Sequence, residues 1–112
     1  MADLRELTQQ YVAAFNAKDI DGVAVLLSEE FCLTDPSVTR LEPREKAVEY
    51  IHGLFIANSF LKFEAKTILV DGDSSVIHFT LALDGSIYHG IDLITWKQER
   101  MTTITAYLTQ QA

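Results

Sequence analysis

The chain has 112 residues, 48% of them apolar, which suits one domain with a single core and leaves no room for a second. Nine basic against sixteen acidic residues give a net charge of −7 and a pI near 4.7, a balance that repels phosphate backbones and anionic membranes and argues against nucleic acid as a partner. The opening lacks the pattern of a signal peptide, no run approaches the roughly 20 apolar residues that span a membrane, and the single Cys32 has no internal disulfide partner, so the expected location is the cytoplasm.

Leu4, Leu7, Tyr11, Ala14 and Phe15 recur at three- and four-residue steps, which predicts a helix over 3–17 capped by Asp3, with Tyr11 on its buried face. After the break Asn16-Ala17-Lys18-Asp19, a short second helix capped by Asp19 should turn Ile20, Val23, Leu26 and Leu27 inward. Phe31 to Asp35 reads as extended. Pro36 forces its predecessor out of helical geometry, so Asp35 is expected at the end of that segment with its carboxylate fixed by the backbone. Residues 37–42 read as a loop, carrying Arg40. Pro43 suits the first position of a third helix, whose stripe of Ala47, Val48, Ile51, Leu54 and Phe55 runs to about Ala57. From Phe60 the period becomes two. With tight-turn chemistry at Asp71-Gly72-Asp73 and Asp84-Gly85-Ser86, this predicts strands over 60–70, 75–83, 87–97 and 100–109, joined as an antiparallel meander. The last turn, Lys97-Gln98-Glu99-Arg100, has no glycine. Three helices followed by a meander imply an α+β fold with the helices on one face of a curved sheet.

Alternation puts Ile77, Phe79, Leu81 and Leu83 on one face of their strand, Tyr88, Gly90, Asp92, Ile94 and Trp96 on one face of the next, and Ile104, Ala106 and Leu108 on one face of the last. If these faces line the concave side, Asp92 is an acid surrounded by hydrocarbon, a costly placement that raises a carboxyl pKa. The opposite face, with Val76, Ala82, Ile91, Leu93, Thr95, Thr103, Thr105 and Tyr107, is too apolar for ordinary exposure and predicts a homodimer through the outer sheet face.

A tyrosine and two carboxylic acids can transfer a proton beside a carbonyl, provided one acid is ionised and the other is held neutral by apolar surroundings. Tyr11, Asp35 and Asp92 are therefore the candidate catalytic residues. Each also has a structural reading: a core tyrosine with a satisfied hydroxyl, turn chemistry before proline, and, least easily explained away, an acid on an apolar strand face. Phe15, Phe31, Phe55, Phe63, Phe79, Leu81, Leu83, Ile94, Trp96, Ile104, Ala106 and Leu108 are the expected pocket walls around a small hydrophobic ligand. His52, His78 and His89 lack ligand spacing, so neither a metal nor any cofactor is expected. Nucleophile triads and glycine-rich phosphate loops have no local signature.

The run Tyr11-Val12-Ala13-Ala14-Phe15-Asn16-Ala17-Lys18-Asp19-Ile20-Asp21-Gly22-Val23, followed by Phe31 to Pro36 and by Gly90-Ile91-Asp92, resembles the bacterial ketosteroid isomerases and the wider SnoaL-like group of the NTF2-like superfamily. The likeness covers about residues 8 to 108. It implies a cone (cystatin-like) of three helices on a strongly bent antiparallel or mixed sheet enclosing one pocket, in a homodimer. It also implies roles: Tyr11 and a protonated Asp92 as the oxyanion hole, Asp35 as the base that shuttles a proton across a steroid-like ketone. Some isomerases carry supporting tyrosines where this chain has Phe55-Ile56 and Leu27, and Arg40 sets a cation near the expected mouth, which points to a substrate smaller or more polar than a steroid. The rival readings are a cyclase, dehydratase or epoxide hydrolase using the same cone, and a non-catalytic dimer module that holds an apolar ligand.

Overall fold

Local capping starts each early helix. In the computed structural model, which describes residues 3–38 and 40–111, the Asp3 carboxylate accepts the Arg5 N–H (2.9 Å) and opens α1 (Leu4–Asn16). Met1, Ala2, Thr39 and Ala112 lie outside the described residues, so the expected loop over 37–42 is described except at Thr39. Asp19 accepts the Gly22 N–H (3.0 Å) and opens α2 (Ile20–Ala24). This helix is shorter than its apolar spacing suggested: Leu26 is buried after its end, and Leu27 already begins β1 (Leu27–Thr34). The strand thus starts four residues before Phe31 and delivers Asp35 just beyond its last residue. Pro43 precedes the third helix as its cap residue instead of occupying its first position, and α3 runs Arg44–Ala57.

The alternating segments form β2 (Leu61–Asp71), β3 (Ser74–Leu83), β4 (Ser86–Lys97) and β5 (Arg100–Gln110), each within one residue of the expected bounds. They pair as the antiparallel meander, and β1 joins beside β5 in parallel, giving one curved five-stranded mixed sheet of order β1-β5-β4-β3-β2. The turn without glycine is made by Gln98 and Glu99, both in the left-handed region (φ 52° and 67°), the pairing a two-residue hairpin of primed type requires.

The helices cover the concave face, and the core lies between the two layers. At its closed end a buried polar chain is fully used: the Trp96 indole N–H donates to Ser75 Oγ (2.9 Å), which shares a hydrogen bond with Thr8 Oγ1 (2.8 Å). Asn16 clamps α1 to β2 at both polar atoms of its amide, accepting the Phe63 N–H (2.6 Å) and donating to the Phe63 carbonyl (2.7 Å). Among the described residues, no helix is long and apolar enough to cross a membrane.

One glycine sets the spacing of strands next to Asp92. A Cβ on Gly90 would stand 2.4 Å from the Tyr107 carbonyl oxygen and 2.8 Å from Leu108 Cβ, so β4 and β5 approach there as only glycine allows. Gly90→Ala should lower stability by about 1–3 kcal/mol, read as a drop in urea midpoint, because the obstructing atoms include backbone that cannot swing away.

Candidate active site

Three elements converge on one apolar cavity of about 350 Å³, and Tyr11, Asp35 and Asp92 all line it. Tyr11 comes from the inner face of α1, where its ring packs edge-on against Phe15 and Phe63 (centroids 5.8 and 6.1 Å) and leaves it 4% exposed. Burial, and secondarily the Asp92 carboxyl, push the Tyr11 hydroxyl well above the ordinary tyrosine range, so it remains a proton donor at any working pH. Asp92 projects from the middle of β4, paired with Ile77 on one side and Ala106 on the other, and is 6% exposed. Desolvation, with a smaller push from Asp35, raises its carboxyl to about 7. Neither the Tyr11 hydroxyl nor the Asp92 carboxyl hydrogen-bonds to another described residue, so both are available to a ligand in the cavity.

Asp35 is held differently. Its backbone closes a tight turn with Val38 (N–H to carbonyl, 2.9 and 3.2 Å) around Pro36, and its Oδ1 accepts the N–H groups of Ser37 (2.7 Å) and Val38 (2.8 Å). Its Oδ2 accepts the hydroxyl of Tyr50, on α3, at 3.0 Å. The backbone-fixed carboxylate expected from the Asp-Pro pair is therefore observed, with Tyr50 as an additional partner.

Of the expected walls, Phe15, Phe63, Phe79, Leu81, Leu83, Ile104, Ala106 and Leu108 line the cavity. Phe31, Phe55, Ile94 and Trp96 do not: Phe31 and Ile94 are fully buried, Phe55 packs edge-on against Phe15 (5.0 Å), and Trp96 joins the Ser75 chain at the closed end. They are core, because the cone tapers and only inward residues away from its apex meet empty space. The lining gains Leu33, Pro36, Ser37, Tyr50, Ile51, Leu54, Tyr88 and Gln110. Arg40 is not among these residues; its guanidinium pairs with Glu42 (2.6 Å) on the exposed loop. Among the described residues, no three His, Cys, Asp or Glu side chains cluster as a metal site would require.

The family pattern of the SnoaL-like domain matches residues 8–104. No curated protein matches the sequence. Among solved structures, an NTF2-like protein of unknown function from Cytophaga hutchinsonii is similar with a TM-score of 0.86 and 15% identity, over 97% of this chain and 92% of that one. A protein from Kribbella flavida, provisionally named a ketosteroid isomerase, gives 0.82 and 17% over 96% and 78%. A SnoaL-like protein of unknown function from Burkholderia thailandensis gives 0.79 and 19% over 100% and 99%. At such identities the likeness is one of fold: three helices on a bent sheet around a single cone.

Proposed function

The chain belongs to the family of SnoaL-like domains, and on that premise we propose that it catalyses the allylic isomerisation of a compact hydrophobic ketone. The observation that carries the reading is the shared cavity: a phenol and a neutral-leaning acid, neither hydrogen-bonded to another described residue, stand in the same apolar space as a carboxylate tied to the backbone. Asp35 takes a proton from the carbon next to the carbonyl. The enolate oxygen that develops is held by the Tyr11 hydroxyl and by protonated Asp92, donors set in place before the reaction and shielded from water. Return of the proton two carbons along gives the conjugated ketone. The cavity is near the lower end of the roughly 300–1,000 Å³ typical of small-molecule sites, which favours a substrate smaller than a full steroid. The provisional name of the Kribbella protein points toward the same reaction class.

The test is direct: β,γ-unsaturated ketones, from cyclohex-3-enone to a ketosteroid, are incubated with the protein and the conjugated enone absorbance is followed. Turnover by the native chain that Asp35→Asn loses supports the reading. Tight binding of a phenolic enolate mimic without turnover would instead favour the non-catalytic ligand-binding module.

We also propose that a second copy of the chain covers the outer sheet face. The registers put Leu69, Val76, Leu93 and Thr105 in one row across the sheet and Thr67, His78, Ile91 and Tyr107 in the next. Leu69, Ile91, Leu93 and Tyr107 are exposed, up to 63% at Tyr107. An apolar band of that kind is ordinarily an interface. Sedimentation should give a dimer mass, and Leu93→Glu should shift the equilibrium to monomer by placing charges against each other across the two-fold axis.

A further inference from the structure

We propose that Tyr50 is the positioning residue of the proton-transfer base: its hydroxyl and the turn at 35–38 hold the Asp35 carboxylate so that one lone pair, on Oδ2, is left for the substrate. The inference rests on the isomerase reading and deepens it by naming which oxygen works and what limits its reach.

A carboxylate offers about four lone-pair positions. Oδ1 gives two of them to the Ser37 and Val38 N–H groups (2.7 and 2.8 Å), and Oδ2 gives one to Tyr50 (3.0 Å). The backbone donors cannot swing aside, since the turn is closed in both directions between Asp35 and Val38 and Pro36 fixes its own φ. Tyr50 arrives from a separate element, α3, whose Ile51 and Leu54 also line the cavity, so the third anchor comes from outside the turn and meets the Ser37 side chain as well as Asp35. Burial and the Asp35 charge push the Tyr50 hydroxyl above the ordinary tyrosine range, which keeps it a donor. The other titratable groups facing Asp35 are Tyr11 from α1 and Tyr88 and Asp92 from β4 inside the cavity, with His89 from β4 and Tyr107 from β5 across a shallow outer groove that Asp35 also borders. Among the described side chains, only Tyr50 hydrogen-bonds to the carboxylate.

Offering Oδ1 to the substrate would break two backbone hydrogen bonds, so the same Oδ2 must accept the proton and return it. The C–H bond beside the carbonyl breaks, its proton going to Oδ2 and its electron pair into the dienolate. The dienolate then takes that proton at the carbon two positions along, and Asp35 is a carboxylate again. A single fixed oxygen serves carbons only that far apart, which restricts the substrate to a short allylic shift.

Tyr50→Phe keeps the ring and removes only the donor, and an unchanged thermal midpoint confirms the fold. With cyclohex-3-enone as the probe, kcat should fall about tenfold while KM stays within about twofold, because the lost donor changes how the carboxylate is aimed and not how the ketone binds. The Asp35 carboxyl carbon resonance, compared by NMR at one fixed pH without substrate, should also be displaced, since the hydroxyl that hydrogen-bonds to Oδ2 is gone. A variant that turns over with kcat unchanged overturns the role of Tyr50 and leaves the isomerase reading standing. If the native chain turns over no β,γ-unsaturated ketone, the isomerase reading fails, and the NMR comparison alone decides: a displaced Asp35 carboxyl resonance upholds Tyr50 as its anchor, and an unmoved one overturns it.

Discussion

Asp35→Asn should reduce kcat on a β,γ-unsaturated ketone by about 10²- to 10⁴-fold with KM little changed, measured from the enone absorbance. The substitution is close to isosteric. The asparagine carbonyl oxygen can still accept the Ser37 and Val38 N–H groups that Oδ1 accepts now, so the turn around Pro36 survives and the loss cannot be assigned to unfolding. What disappears is the proton acceptor, because an amide nitrogen has no basic lone pair. A second consequence separates this variant from a merely damaged one. The Asp35 charge contributes to the elevation of Asp92, so its removal should lower the Asp92 titration from about 7, while burial, the larger cause, keeps it above the ordinary carboxylate range. Undiminished turnover in Asp35→Asn would take the base assignment away.

The scaffold was legible because its signals are local. The three- and four-residue spacing of Leu4, Leu7, Tyr11 and Phe15 and the two-residue alternation after Phe60 set elements whose bounds hold within one or two residues, and Pro36 alone located the turn that pins Asp35. The depth of the cavity was not legible. Alternation says which residues point inward, but Ile94 and Trp96 share that face with Asp92 and lie in packed core, since the taper of a bent sheet depends on how five strands cross. The spacing of Leu27 from Val23 fits a helix, yet the parallel pairing of β1 with β5 draws it into the sheet. The apolar stripe of α3 does not include Tyr50, which flanks it. Its distance of four residues from Leu54 and three from Ala47 does put it on the adjoining face, and a tyrosine there is a signal for a polar partner across the cavity.

Asp92 should give variants whose activity and stability move in opposite directions. Asp92→Ala removes one preorganised oxyanion donor and is expected to slow turnover by about 10²- to 10³-fold. Asp92→Asn keeps an N–H donor and should lose much less, which distinguishes a role as donor from a role as charge. Stability follows from the same proton. Asp92 sits at about 7 in the folded protein against 3.8 ordinarily, so the folded state holds a proton that the unfolded chain releases. Its favourable contribution is complete below about pH 4, declines as pH rises, and is gone once pH passes about 7, a difference on the order of 4 kcal/mol. Asp92→Asn carries no such proton, so its unfolding free energy should be nearly flat between pH 4 and 7 where that of the native chain falls, and at pH 8 the variant should melt higher. Turnover by the native protein should decline through the same interval near pH 7, because the deprotonated acid can no longer donate to the enolate. Denaturant titrations and pH–rate profiles that break at different pH values would uncouple the two effects and show that a different group gates the chemistry. Coincident breaks mean that the buried acid is retained for its proton, at a cost in stability that a neutral residue of the same shape would avoid.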